Sequence, residues 1–371
     1  MSEFLLPSGF KDELFEQASL EYKYKNKIIN LFQSNGYELV KPPLIEYANL
    51  ENEKNAFVIK EKKESRNFII RNDITLQIAR LANSRLKNKI RPLKLCYYGE
   101  VIRKKGTMLR PERQFLQVGA ECIGEKSYLA DVEMLDLAYQ ALKTVGIKNI
   151  SIDLSSSDFI NYFLKKIKNK KNLDKITSFI RRKDFTNCSK YLDSSLHDYV
   201  KNLLLCTGNL EEKKEILNKL TLDKNTKIAA EQLLAIYSIF KSKYPEVIFF
   251  LDLSESNYLY YHSGICFTFY ANNVRGEVAR GGRYISKEDS ILENSTGFTC
   301  YMDTIIRASS FKEKIKKILI PFNASEKRKK ELINQGFVVE TFFGDNNQMK
   351  NIALKKKIEF CLINKQVISI K

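Results

Sequence analysis

Two polar side chains set in apolar strands carry the clearest chemical signal in this sequence. Residues 95–103 read Leu-Cys-Tyr-Tyr-Gly-Glu-Val-Ile-Arg, a Gly106-Thr-Met loop follows, and residues 113–121 read Arg-Gln-Phe-Leu-Gln-Val-Gly-Ala-Glu. The pattern predicts an apolar strand, a basic turn and a return strand. Period-2 alternation places Gln117, Gly119 and Glu121 on one face of the return strand. A buried amide and carboxylate beside Arg103 and Arg113 are costly unless a ligand or partner satisfies them. Upstream, Arg71-Asn-Asp73-Ile-Thr75-Leu-Gln77 supplies further short polar groups. Downstream, Tyr258-Leu-Tyr260-Tyr261 adds hydroxyls, and Arg280-Gly-Gly-Arg-Tyr284 adds a backbone that others can approach closely.

The elements that position these groups follow from periodicity. Residues 12–35 read as an amphipathic helix closed by Gly36, and Tyr37 to Val40 as a strand broken by Pro42-Pro43. Phe57 to Lys60 and Asn67 to Arg71 read as short strands. Asp73 is placed to cap a helix from Thr75 to about Lys87. A helix over 131–145 leads to a strand over Ile150 to Leu154. From about 158 to 244 the spacing is almost wholly helical, which predicts a helical insertion. Strands return at Val247 to Leu253, Cys266 to Tyr270 and Glu277 to Ala279. A composition shift near Lys312 predicts a boundary, so the expected units are 1–311 and a small α/β unit over 312–371.

Composition narrows the function classes. A chain of 371 residues, 44% of them hydrophobic, suits roughly two or three domains. No apolar run approaches the ~20 residues of a membrane span, and the start lacks a secretory signal, so a cytoplasmic protein without membrane contact is expected. Seven scattered cysteines form no Cys-x-x-Cys pair and predict free, mostly buried thiols. With His197 and His262 the only histidines, neither a metal site nor a cofactor is expected. The net charge of +18 invites a nucleic-acid reading. Clusters such as Lys165-Lys166 and Lys316-Lys317 are more simply solvated faces.

Five segments, in order, resemble histidyl-tRNA synthetases of class II. Leu6-Pro-Ser-Gly-Phe-Lys-Asp12 with Gly36 to Glu46 is similar to the dimer-forming motif 1. Arg71 to Arg80 resembles the loop that grips the amino acid's ammonium group, and 95–121 resembles motif 2. Tyr258 to Phe267 resembles the segment that closes over the histidine side chain. Arg280 to Tyr284, followed by Gly297-Phe298, resembles the strand and helix start of motif 3. The resemblance implies an α+β fold: a class II aminoacyl-tRNA synthetase-like antiparallel sheet flanked by helices, with a truncated anticodon-binding-like C-terminal unit. It also implies a histidine pocket of Asp73, Thr75, Arg103, Gln117, Glu121, Tyr258, Tyr261 and Tyr284. In it Asp73, Thr75 and Gln117 would accept from the ammonium, Glu121 and Tyr261 would hold the imidazole, and Arg103 would pair with the carboxylate. Arg103 and Arg113 would be a vestigial nucleotide site.

Two departures redirect the functional expectation. Ser256 and Thr304 stand where the resemblance implies arginines against the reacting carboxylate and ATP. Losing one such cation typically costs about 3 kcal/mol of transition-state stabilisation, so no catalytic residues are assigned. The chain is similar in this to the ATP phosphoribosyltransferase regulatory subunits, paralogues that no longer charge tRNA. That resemblance implies a partner in the short-form catalytic subunit, a self-paired dimer core within a hetero-oligomer, and free L-histidine as feedback effector in the first step of histidine synthesis. tRNA is not expected as a partner. The alternatives are a divergent histidyl-tRNA synthetase and a synthetase-derived RNA-binding or regulatory module.

Overall fold

Helix α1 (Phe15–Ser34) turns Tyr24, Ile28 and Phe32 inward at a spacing of four and ends before Gly36, whose φ of +86° suits glycine. The computed structural model describes residues 5–49, 53, 55–61, 66–167, 169–254, 262–288, 291–309 and 316–370. It divides into two compact units, 1–310 and 311–371.

In the first unit, α1 is followed by β1 (Glu38–Val40), β2 (Ile45–Tyr47), β3 (Phe57–Ile59) and β4 (Phe68–Ile70). Next come α2 (Thr75–Asn83), β5 (Leu93–Ile102), β6 (Gln114–Ile123), α3 (Leu129–Thr144) and β7 (Ile150–Ser156). The segment that reads as helical contains α4 (Ser157–Lys166), α5 (Leu173–Arg181), α6 (Phe185–Ser189), α7 (His197–Leu205), α8 (Leu210–Asn218) and α9 (Lys224–Lys243). It also holds one three-residue strand, β8 (Thr207–Asn209). The unit closes with β9 (Ile248–Asp252), β10 (His262–Ala271), β11 (Ala279–Glu288), β12 (Ile291–Tyr301) and α10 (Met302–Ala308).

Nine strands form one sheet in the order β1-β5-β6-β12-β11-β10-β7-β9-β8. All pairings are antiparallel except β1 with β5 and β7 with β9, so the sheet is mixed at its flanks and antiparallel at its centre. One face carries α1 and α3, with Phe32, Met134, Leu135, Ala138 and Phe298 in its core. On the other, α2 packs Ile74, Ile78 and Ala82 onto Leu95, Tyr97 and Tyr301. Covered on both faces, β6 is buried from Phe115 to Ile123, so burial itself shows no alternation.

Three sequence expectations are corrected. The helix from Thr75 stops at Asn83 rather than about Lys87, because the Arg91 guanidinium takes the carbonyls of Ala82 and Leu86. Gly297-Phe298 is not a helix start: both lie inside β12, paired with Glu121 and Ala120, and the helix begins at Met302. The strand expected over Glu277 to Ala279 begins at Ala279 and runs to Glu288. Glu277 instead offers its carbonyl and its carboxylate to Arg110, which draws it out of the ladder.

The second unit is a four-stranded sheet, β14-β13-β15-β16, built from β13 (Lys316–Pro321), β14 (Phe337–Phe342), β15 (Phe360–Ile363) and β16 (Gln366–Ser369), with α11 (Glu326–Asn334) and α12 (Met349–Lys355). Alternate residues of β13 serve opposite faces: Ile318 and Ile320 pack with Leu332, and Leu319 packs with Met349 and Ala353. All seven cysteines are buried thiols. No helix among the described residues is long and apolar enough to cross a membrane.

Candidate functional site

Strand register builds the site in rows across β5, β6, β12 and β11. One row runs Leu95, Glu121, Gly297, Gly282; the next runs Tyr97, Gly119, Thr299, Arg280; a third holds Gly99, Gln117 and Tyr301. The first two rows pair a large side chain with a neighbouring glycine, and the spacing requires it. A Cβ at Gly297 would lie 1.8 Å from Glu121 Oε2, and one at Gly119 would lie 2.4 Å from the Tyr97 hydroxyl. Glu121 and Tyr97 therefore lie over bare backbone. Above them is a cavity of about 270 Å³, walled on the opposite side by Asp73, Thr75 and Leu76 at the start of α2.

The hydrogen bonds converge on two carboxylates. Tyr284 donates its hydroxyl to Glu121 Oε2 at 2.9 Å, and Tyr97 donates to Oε1 at 3.4 Å. The Tyr97 hydroxyl also meets Thr299 Oγ1 at 2.8 Å and Thr75 Oγ1 at 3.2 Å. Glu121 is 1% exposed with no cation bonded to it among the described residues, and burial pushes its carboxyl up to about 8 against the pull of the Tyr284, Thr75 and Tyr97 hydroxyls. At neutral pH it carries its proton and can both donate and accept. Asp73 is half-buried at the helix start. Its Oδ1 accepts from the Thr75 N–H at 2.9 Å, and its Oδ2 accepts from Gln117 Nε2 at 3.1 Å.

Of the expected ligand groups, Asp73, Thr75, Glu121 and Tyr284 are brought together in the cavity wall. Gln117 is fully buried and lies behind it: its Oε1 accepts from the Ile74 N–H at 3.2 Å while its amide holds Asp73, so it positions that carboxylate. The Arg103 guanidinium lies 4.9 Å over the Phe115 ring, which packs edge-on to Tyr301, and is not among the cavity-lining residues. Arg113 donates to the carbonyls of Arg103 and Ser8 and lies over Phe10 and Phe57, tying down the N-terminal segment. Tyr258, Tyr261 and Ser256 fall outside the described residues. Thr304 is buried, accepting from Arg110 and Arg307.

Sequence reasoning missed Arg280, Tyr97, Thr299 and Tyr301, all of which touch the cavity or bond its carboxylate. A parity signal was present: Arg280 shares a face of β11 with Gly282 and Tyr284, and Tyr97 stands directly across from Gly119. Arg280 is the one cation among the described lining residues. The arrangement offers oxygen acceptors at one side, a proton-bearing carboxyl on the floor and a guanidinium on the wall. That suits a single small zwitterion with a second polar end.

Comparison with known proteins places the chain in a family. Residues 9–305 match the histidyl-tRNA synthetase family model. An ATP phosphoribosyltransferase regulatory subunit of Rhodospirillum centenum is 32% identical over 329 residues, covering 85% of this chain and 83% of its own length. An ATP phosphoribosyltransferase regulatory subunit/histidyl-tRNA synthetase from Bacillus halodurans shares the fold with a TM-score of 0.78 at 24% identity, covering 95% of this chain and 97% of that one. A chain of an ATP phosphoribosyl transferase complex from Thermotoga maritima does so at 0.60 and 20% identity, covering 78% and 98%. A match of that extent makes the chain a member of the histidyl-tRNA synthetase-like family and, within it, of the ATP phosphoribosyltransferase regulatory subunits.

Proposed function

We propose that this chain is the non-catalytic subunit of an ATP phosphoribosyltransferase, assembling with a short-form catalytic subunit and sensing free L-histidine in the cavity over Glu121. The observation that carries the ligand is Glu121 itself: buried, protonated at neutral pH and flanked by two tyrosine hydroxyls, it suits the two nitrogens of an imidazole. Asp73 and Thr75 supply acceptors for the ammonium, and Arg280 is the wall cation for the carboxylate. Membership of the regulatory-subunit family supports the partner. Ser256 and Thr304, in place of arginines, support the loss of histidine activation. Exposed Leu44, Ile45 and Tyr47 in and beside β2 support self-pairing through the motif 1-like segment.

Histidine then inhibits by favouring one of two arrangements of the assembly. A coupling of about 1–3 kcal/mol suffices for 5–150-fold control. The test is to mix the chain with the catalytic subunit of its own cell: transferase activity should rise and become histidine-sensitive. Measured against each complex's own uninhibited rate, Asp73→Ala should raise the histidine needed by about 10–150-fold, the loss of a hydrogen bond to a charged group, and Glu121→Ala by about 2–13-fold, the loss of one between neutral groups. No activation on mixing would end the partner assignment. Full inhibition of both variants would move the effector site elsewhere.

A further inference from the structure

We infer that Tyr301, locked by Arg110, is a stopper that confines this cavity to a free amino acid and keeps out any ligand whose carboxyl carries a nucleotide. The inference deepens the histidine reading and rests on it. Along the β6–β12 ladder the cavity face runs from Glu121 beside Gly297, past Gly119 beside Thr299, to Gln117 beside Tyr301, a span of about 13 Å at strand spacing. The first positions are bare backbone or a small side chain. The last is a tyrosine, 7% exposed, that lines the cavity and closes this end.

Packed side chains back the Tyr301 ring. Phe115 packs edge-on against its ring at 6.0 Å, and the Arg110 guanidinium lies 3.8 Å from the ring centroid. Arg110 is itself immobilised. Its Nε donates to Asp303 at 3.2 Å, Nη1 to the Glu277 carboxylate at 2.9 Å, and Nη2 to the Glu277 carbonyl at 3.0 Å and Thr304 Oγ1 at 3.2 Å. A guanidinium 3% exposed and held by two carboxylates does not swing aside, and the tyrosine stacked on it cannot retreat into that space. The volume agrees: about 270 Å³ is below the roughly 300–1,000 Å³ of sites that take drug-sized ligands. The same stopper makes the pocket a reader of the free amino acid alone, since a clash against the longer ligand gives discrimination without any added contact to the shorter one.

The experiment compares calorimetric binding of L-histidine with that of its sulfamoyl-adenosine conjugate, a stable mimic of the amino acid joined to a nucleotide, on the full chain. The wild type should bind histidine and should bind the conjugate about tenfold or more less tightly. Tyr301→Gly should close or reverse that gap, and Tyr301→Phe, which keeps the ring, should preserve it. Conjugate binding to the wild type as tight as or tighter than histidine overturns the stopper while leaving the histidine site standing. Should Tyr301→Gly fail to fold, the wild-type ratio alone decides. If histidine itself does not bind, the reading of the cavity falls and this inference falls with it.

Discussion

The two ends of the β6–β12 ladder bury charge equally deeply and resolve it in opposite ways. Glu121 is 1% exposed and among the described residues has only hydroxyls for hydrogen-bond partners, so it keeps a proton. Arg110 is 3% exposed and is bonded to Asp303 and Glu277, so it keeps its charge. A buried carboxyl held by hydroxyls alone keeps a proton it can share with a polar group; an ion-paired guanidinium is part of the frame. On the proposed reading, one strand pair retains the binding half of a synthetase-like pocket while the other half becomes packing. That division is what the proposed sensing role requires.

The sharpest way to break the comparison is to remove the frame's cation. Arg110→Ala takes the cation from Glu277 and leaves Asp303 only the longer 3.6 Å ion pair with Arg307, and breaking a buried ion pair from one side costs about 3–5 kcal/mol. Urea unfolding should show a loss of that size, against little change for Glu121→Gln at pH 6. Equal effects would mean the two ends are not built differently. Gly297→Ala is the next largest. Its Cβ must displace Glu121 Oε2 from 1.8 Å, so it should lower stability by about 1–3 kcal/mol, as overpacking does, and weaken histidine binding together with it. A Gly297→Ala variant with wild-type histidine affinity would remove Glu121 from the ligand's contacts.

Much of this was legible in the sequence, and the misses have a common cause. The segments around 37–40, 95–121 and 318–370 were readable because their apolar periodicity is strong and local. Asp73 was legible as an acceptor at the helix start, where it takes the Thr75 N–H although Ile74 is the N-cap, and Glu121 as a misplaced carboxylate. Strand β12 was not: Ile-Leu-Glu-Asn-Ser-Thr-Gly has weak strand character, and its conformation is imposed by β6 and β11 on either side. Gln117 read as a ligand group, and its support of the helix start was not legible, because Ile74 and Asp73, which its amide engages, lie 43 and 44 residues away. The Arg110 network joins positions 110, 277, 303 and 304, and no spacing within one element encodes such a meeting.

The subtlest difference between the ends is a proton, and it should show in the pH profile of histidine binding. Bound, Glu121 and the imidazole hold one proton between them, whichever atom carries it. Between about pH 6.5, the ordinary value for an imidazole, and the Glu121 value of about 8, the free partners already hold that one proton, on Glu121. Affinity is therefore flat in that window. Above about 8 the empty site has lost the proton and must recover it, so affinity falls about tenfold per pH unit, or ~1.4 kcal/mol. Below about 6.5 the free ligand gains a second proton that must leave, and affinity falls again. Glu121→Gln should bind more weakly throughout, keep the acid limb and lose its share of the alkaline one. The ligand's own ammonium titrates in both proteins, so the difference between the profiles isolates Glu121. Stability follows the same group: its folded value lies above the unfolded 4.5, so the wild type loses stability as pH rises from there, the loss being complete above about 8. The gap in unfolding free energy between Glu121→Gln and wild type should shift steadily in the variant's favour over that range. Parallel binding profiles, or a gap independent of pH, would mean that Glu121 does not hold its proton in the empty cavity.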